Sequence, residues 1–171
     1  YHLSVIKKEK NSLKMLKKQH LIFSTAIIFF LFISILKAEL KTPNNQIIPS
    51  DVIKIQLVGL MNNDKEHLDS GIEQTWNFAH PNNKQNTGPL PKFKMMIKGN
   101  SYKMLIDHLS HTITQLGAGD DWAQFEVIIL DKDKIYHKFN WQVEKYTLDG
   151  PLKDCWLTTI VSSPIPLGSS I

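Results

Sequence analysis

The chain has 171 residues, 42% hydrophobic and 21% charged, a length and composition that fit one globular domain. This composition excludes a fibrous, a collagen-like and a wholly disordered chain. All 20 of its basic residues are lysines, and residues 39–171 carry 13 lysines against 15 acids. Because bidentate recognition of phosphate or guanine normally uses arginine, and because this part of the chain is mildly acidic, we expect no nucleic-acid partner.

Residues 21–36 form an apolar run without a charge, preceded by three nearby lysines and followed by Lys37 and Ala38. A basic region, an apolar region and then a small residue are typical of a secretory signal. The run is shorter than the roughly 20 residues that span a bilayer, which favours a cleaved signal over an uncleaved anchor or a buried core helix. We predict that residues 15–38 are a signal peptide or membrane anchor. The domain is then exported to a periplasm, a thylakoid lumen or the extracellular space, or tethered through this segment alone.

The remaining boundaries follow from composition. A start at Met15 would give a well-formed signal, so residues 1–14 are interpreted as a leader or as untranslated upstream sequence. The alternative is that Met15 is an ordinary residue of a longer basic leader. Residues 39–49 are polar and contain proline, which predicts a linker. The domain is predicted over residues 50–162, with residues 163–171 as a flexible tail.

Apolar side chains recur at helical spacing in the first half of this domain. Three helices are predicted, from the N-cap Ser50 to about Asn63, from a capping box of Ser70 and Glu73 to Pro81, and from Pro89 to Gly99. The polar segment between Pro81 and Pro89 is predicted to be a loop.

After Gly99 the apolar period changes from 3.6 to 2. Four strands are predicted, over residues 109–116, 122–130, 134–146 and 154–161, separated by turns rich in Gly, Asp and Pro. Short turns between the strands predict an antiparallel meander. We therefore predict an α+β fold in which three N-terminal helices pack on one face of a strongly curved antiparallel sheet of four to six strands.

This order of elements resembles the cone-shaped fold of the nuclear transport factor two superfamily, also called cystatin-like. More specific blocks are TWNFAHPNNK at 75–84, TGP at 87–89 with Phe93 and Met96, and DGPLKDCWLT at 149–158. Over about residues 50–159 these blocks resemble a domain-of-unknown-function family numbered 4864. Lys84 stands where that family has arginine, and Lys134 where it has glycine. The family has no assigned activity, so the resemblance implies a fold and not a reaction.

The resemblance also implies a cavity between the helices and the sheet, which related proteins use for acid/base chemistry on small apolar substrates or for ligand binding. The aromatic residues expected near it are Trp76, Phe78, Phe93, Phe125, Phe139, Trp141 and Trp156. For each of them the alternative is ordinary core packing. As ligand-binding residues we select Trp76, Phe93, Trp141 and Trp156. Trp156 is placed first, because an indole N–H inside a cavity needs a polar partner.

An acid/base enzyme would need a carboxylate or a histidine with a shifted pKa in this cavity. The candidates by position are His80, Asp107, His108, His111 and Glu126. His108 and His111 are predicted to lie on one strand and to point to opposite faces, which does not favour a zinc site. His80 is interpreted as a helix-end residue that favours the helix dipole when it is protonated.

The other candidate groups have structural interpretations. Asp131 and Asp133 resemble the start of a calcium loop but lack its glycine and glutamate, so a hairpin turn is predicted. The single cysteine, Cys155, excludes an intramolecular disulfide and is predicted to be a buried strand residue, because Asp154 beside it disfavours a thiolate. No glycine-rich phosphate loop and no Gly-x-Ser-x-Gly motif is present, and we expect neither a metal nor a cofactor.

Three functions remain open. The first is a non-catalytic binding or accessory domain, exported or tethered, that holds a small apolar ligand or a protein partner. The second is an isomerase- or dehydratase-like enzyme that uses a pocket carboxylate or histidine. The third is a protein-interaction domain that forms a homodimer through its sheet. A cavity that contains Asp107, His108 or Glu126 would favour the enzyme, and a cavity lined by apolar residues would favour binding.

Overall fold

The computed structural model describes residues 39–169. The predicted leader, residues 1–14, and the predicted signal or anchor, residues 15–38, lie outside this range. Among the described residues, every helix is too short or too polar to cross a bilayer.

Four α-helices lie within residues 39–169, and all of them precede the sheet in the chain. They are α1 (Pro49–Met61), α2 (Ser70–Asn77), α3 (Pro81–Thr87) and α4 (Leu90–Lys98), and a 3₁₀ turn follows at Lys103–Leu105. The prediction of three helices is wrong, because the segment predicted to be a loop forms α3. Pro81 supplies a helical φ at the first position, and the His80 ring accepts the Asn82 N–H, so the first turn is stabilised without any apolar stripe.

The described part of the chain forms one antiparallel sheet of five strands. They are β1 (Ser110–Ala118), β2 (Trp122–Leu130), β3 (Ile135–Lys145), β4 (Trp156–Val161) and β5 (Ile165–Ser169). The strand order is β1-β2-β3-β4, and β5 pairs with the first half of β3. The predicted α+β class and antiparallel sheet are confirmed. Ile165–Ser169, within the segment predicted to be a flexible tail, forms the paired strand β5.

The core lies between α1 and one face of the sheet. Alternate residues of β2 and β3 are buried on this face, as their period of two requires. The core side chains from these elements are Val52, Ile53, Leu57, Leu60, Phe125, Val127, Ile129, Phe139, Trp141 and Val143. The opposite face carries polar side chains such as Gln124 and Gln142, which bond to each other at 2.9 Å. One face of the sheet is therefore covered by helices and the other is largely polar.

Helices α1 and α2 approach each other closely through two glycines. A Cβ added to Gly71 would overlap the carbonyl of Gly59, so this crossing admits no side chain. The N-cap residues of α1 and α2 differ from the predicted ones. Ile48 precedes α1 at the N-cap in place of Ser50, and Asp69, at φ 65°, precedes α2. Ser70 does not form the predicted capping box, because its Oγ donates to the carbonyl of Asn63 at 2.7 Å.

The segment predicted to be a linker contacts the domain through the backbone of Lys41 and through Ile47, which packs against the core. The backbone N–H of Lys41 donates to Oε1 of Gln74 at 2.8 Å, and Nε2 of Gln74 donates to the Lys41 carbonyl at 2.9 Å. Gln74 is buried on α2, so both bonds are partly shielded from water. The chain therefore enters the domain along a defined path beside α2.

Candidate functional site

A cavity of about 260 Å³ lies between the helices and the β3–β4 edge of the sheet. One part of its wall is apolar and is formed by Leu60, Phe93, Met96, Ile97, Leu105 and Val161. The other part is polar and includes Gln56, Thr75, Asn83, Thr87, Thr158 and Thr159. Helices α1 to α4 all contribute, so the helices form the roof and β3 and β4 form the floor. Every side chain in the wall is uncharged at neutral pH.

Four of the wall residues form one buried hydrogen-bond network, which we call the cavity network: Gln56, Thr75, Trp141 and Thr158. The indole Nε1 of Trp141 donates to Oγ1 of Thr158 at 3.1 Å, and this hydroxyl lies 2.6 Å from Oε1 of Gln56. Nε2 of Gln56 donates to the carbonyl of Thr75 at 3.0 Å. The network links α1, α2, β3 and β4, and it fixes the floor of the cavity.

A β-bulge follows Thr158. Gln142 pairs with Ile160 and Val143 with Thr158, which leaves Thr159 as the extra residue. Leu157 and Thr158 are both buried, and of these two neighbours Thr158 lines the cavity whereas Leu157 does not. The backbone of Thr158 also pairs with the segment that follows α2. Its N–H donates to the Phe78 carbonyl and its own carbonyl accepts the His80 N–H, both at 2.8 Å.

The structure places two of the four selected aromatic residues in the cavity wall. Phe93 and Trp141 line it, whereas Trp76 and Trp156 are absent from it. Trp76 packs against Phe93 with ring centroids 5.0 Å apart and carries Nζ of Lys84 5.3 Å above its ring. Trp156 is half-buried beneath Nζ of Lys145, at 5.1 Å. The expected role of a buried indole with a polar partner thus belongs to Trp141.

The sequence interpretation missed Gln56 and Thr158. Gln56 lies three residues after Ile53 and four before Leu60, within the apolar stripe of α1. A polar residue inside such a stripe is a signal for a buried hydrogen bond and could have identified it. Thr158 had a signal as well, because strict alternation places it on the face of Trp156, the residue expected first in the cavity. The other aromatic candidates, Phe78, Phe125 and Phe139, are core residues that do not line the cavity.

His80 lies at the start of α3 and not in the cavity wall. Its Nδ1 accepts the Asn82 N–H at 3.1 Å, which requires that nitrogen to be unprotonated. Burial lowers the pKa of His80, and the Glu144 carboxylate opposes this effect. The predicted favourable dipole interaction of a protonated ring is therefore wrong, since the ring caps the positive end of a helix as a neutral acceptor.

His108 and His111 meet, contrary to the prediction that they point to opposite faces. His108 precedes β1 instead of lying on it, and its Nε2 is 2.8 Å from Nδ1 of His111. Nδ1 of His108 is 2.7 Å from the carbonyl oxygen of Leu105. Because a carbonyl oxygen only accepts, Nδ1 carries the ring proton, and Nε2 of His108 therefore accepts the hydrogen bond from His111. Burial lowers the pKa of both rings, and the Lys54 ammonium lowers that of His111 further. Neither histidine lines the cavity.

The two predicted carboxylate candidates are also outside the wall. Asp107 is exposed, at φ 55°, and its backbone N–H donates to the Leu60 carbonyl at 2.9 Å. Glu126 alternates with the buried residues of β2, so it lies on the other face of the sheet, 3.5 Å from Nζ of Lys138. The structure therefore does not bring the ionisable candidates to the cavity.

A second pair that contains a histidine, Asp131–His137, lies near the β2–β3 turn. Oδ1 of Asp131 accepts the N–H groups of Asp133 and Ile135, each at 2.9 Å, in the predicted hairpin turn. Its Oδ2 is 2.7 Å from Nε2 of His137. Burial opposes ionisation of Asp131, but these hydrogen bonds and the His137 ring outweigh it and lower the pKa of the carboxyl. His137 Nδ1 is buried without a partner among the described residues.

Cys155 is buried immediately before β4, and burial together with the Asp154 carboxylate raises the pKa of its thiol. This direction disfavours the reactive thiolate. Within residues 39–169, no cluster of three or more His, Cys, Asp or Glu side chains has the arrangement of a metal site.

Comparison of the chain with family models, with curated proteins and with solved structures found no match.

Proposed function

We propose that this domain is an exported or membrane-tethered binding or accessory domain that holds a small neutral molecule in the helix–sheet cavity and does not transform it. One observation carries the proposal: the cavity of about 260 Å³ has a wall composed only of uncharged side chains. With roughly 30 Å³ for each water-sized group, this volume holds a ligand of about nine heavy atoms.

The chemistry of the wall favours a neutral ligand. A charged molecule would lose its hydration on entry and would find no opposite charge to compensate it. An acid/base reaction needs a titratable group within hydrogen-bond distance of the reacting atom. The five groups considered for this role do not line the cavity: His80, Asp107, His108, His111 and Glu126. The apolar surface of Phe93 and Met96 supplies the hydrophobic contact that a binding site requires.

We also propose that the domain belongs to the nuclear transport factor two superfamily, with a cone-shaped, strongly curved sheet. Two features support this assignment. The described helices precede the sheet in the chain, and the cavity lies between helices and sheet as the resemblance implies. The sequence blocks over residues 75–84 and 149–158 supply residues on both sides of that cavity, including Thr75 and Thr158.

The experiment follows the indole N–H signal of Trp141 by ¹⁵N NMR while neutral and charged probes are added to the full chain. Cyclohexanone and toluene are the neutral probes, and benzoate is the charged one. We expect the neutral probes to shift the Trp141 signal and benzoate to leave it unchanged.

Two variants control for binding elsewhere. Asn86 shares a face of α3 with Asn83 and Thr87 in the cavity wall and is exposed, so Asn86→Trp should obstruct the cavity without disturbing the core. Gln85 on the same helix is also exposed but is not in the wall, so Gln85→Trp is the matched control. We expect Asn86→Trp to abolish the shifts and Gln85→Trp to retain them. Equal shifts in both variants, or no shift in the unmodified chain, would overturn the proposal.

A further inference from the structure

The donors and acceptors of the cavity network can each be assigned a direction. An indole Nε1–H can only donate, so Trp141 donates to the Thr158 hydroxyl. The single proton of that hydroxyl therefore goes to Gln56, 2.6 Å away, and the Gln56 atom that receives it must be the amide oxygen. The amide nitrogen then faces the Thr75 carbonyl, which can only accept. Both ends of the side chain require the same amide orientation.

This orientation leaves one proton of Gln56 unused. The amide group has two N–H donors, and the Thr75 carbonyl is the only partner that Nε2 has among the described residues. Gln56 is 1% exposed and lines the cavity, so bulk water does not satisfy the second N–H. A buried donor without an acceptor costs free energy, which an oxygen placed in the cavity would recover.

We propose that Gln56 determines ligand specificity, donating this second N–H to a carbonyl oxygen of a small, neutral, otherwise apolar molecule such as a cyclic ketone. This inference rests on the proposed binding function and adds the chemical class of the ligand.

The surroundings of Gln56 favour an oxygen acceptor attached to an apolar body. The Thr158 proton is already donated to Gln56, and the Thr75 hydroxyl proton is donated to the Gly71 carbonyl at 2.9 Å. Among the buried members of the network, the spare proton of Gln56 is thus the donor that remains. The opposite wall, with Phe93 and Ile97, offers apolar contact only. A ligand with one carbonyl group directed at Gln56 and a hydrocarbon ring against these residues fits both surfaces.

The test compares two ligands that differ only in this group. Cyclohexanone and methylenecyclohexane have the same ring, but the hydrocarbon has a CH₂ group where the ketone has its oxygen. Titration of the full chain should give a Kd about tenfold lower for the ketone, which is the magnitude expected for one buried hydrogen bond. In ¹⁵N NMR spectra the ketone should shift one of the two side-chain N–H signals of Gln56, and the hydrocarbon should shift neither.

A pair of glutamine substitutions locates the effect. Gln56→Met keeps the length of the side chain and removes the amide, so the ketone and the hydrocarbon should then bind within about twofold of each other. Gln74 is also buried on a helix but bonds to Lys41 outside the cavity, so Gln74→Met is the matched control and should keep the preference for the ketone. If Gln56→Met does not fold, the ligand pair and the Gln56 signals of the unmodified chain still decide the question.

The outcomes separate the two proposals. Equal binding of ketone and hydrocarbon to the unmodified chain overturns the role of Gln56 and leaves the binding function intact. A ketone preference that survives Gln56→Met also overturns it. If neither compound binds, the proposed function fails, and the specificity inference fails with it.

Discussion

Two groups of buried or half-buried polar side chains lie in this domain, and they differ in what they can do. The cavity network consists of neutral groups next to open volume, and one of its donors has no acceptor among residues 39–169. The histidine pairs, His108–His111 and Asp131–His137, consist of ionisable groups that do not line the cavity. Ionisable side chains are the usual indicators of a functional site. Here the neutral network has the space for a ligand, so free volume is the better guide.

Trp141 is expected to have the largest effect on stability. It is 2% exposed and belongs to both the core and the cavity network. Trp141→Ala should lower the free energy of unfolding by about 3 to 5 kcal/mol, as large-to-small substitutions of buried aromatic residues do. Trp156→Ala is the control and should cost about 1 to 2 kcal/mol, since this half-buried ring loses partial burial and one cation–π contact. Urea denaturation measures both values, and an equal loss for the two variants would contradict the assignment.

The second prediction concerns the Asp131–His137 pair. Asp131→Ala removes the acceptor of two backbone N–H groups and of the His137 ring in a buried position. We expect a loss of about 2 to 4 kcal/mol in unfolding free energy, with no change in ligand affinity. Asp133 in the same turn is exposed, and Asp133→Ala should change stability by less than about 0.5 kcal/mol. A loss of binding at unchanged stability would show that the pair belongs to the site.

The elements that follow one hydrophobic period were predictable from the sequence. β2 has its predicted bounds, and α4 lies within the predicted third helix, because their apolar spacing matches the buried face. Helix α3 was not predictable, since it has no buried residue and depends on a proline and a histidine cap. For the site, Phe93 and Trp141 were identified by their type. Trp156 lies opposite Lys145 at the start of β4 and outside the cavity wall, and alternation along a strand does not show how far a cavity extends.

Neighbouring threonines in β4 test the network with a smaller change. Thr158→Val keeps the shape of the side chain but leaves the Trp141 N–H and the Gln56 oxygen without their partner. This should cost about 1 to 3 kcal/mol. Thr159→Val removes only two long hydrogen bonds, of 3.3 and 3.4 Å, and should cost less than about 0.5 kcal/mol. Thermal unfolding of both variants is the measurement, and a larger loss for Thr159→Val would contradict the network.

The smallest effect on stability is expected from mild acid. Acid protonates the histidine pairs but not the neutral cavity network, so it distinguishes these two groups. Burial lowers the pKa of His80, His108 and His111 below the ordinary value of 6.5, so the folded chain resists protonation that the unfolded chain accepts. Stability is therefore complete above about pH 6.5 and falls as the pH drops below it. The carboxyl of Asp131 has a pKa below 3.8 and does not contribute in this range.

Unfolding measured from about pH 7.5 to about pH 5.5 should show this decrease, and His111→Gln should reduce it. His67 is an exposed histidine on Glu73, so His67→Gln serves as the control and should retain most of the decrease. Cyclohexanone affinity should stay constant over the same range, because the cavity wall contains no histidine and no carboxyl group. An affinity that falls together with stability while the chain is still folded would connect the histidine pairs to the cavity and remove the distinction between the two groups.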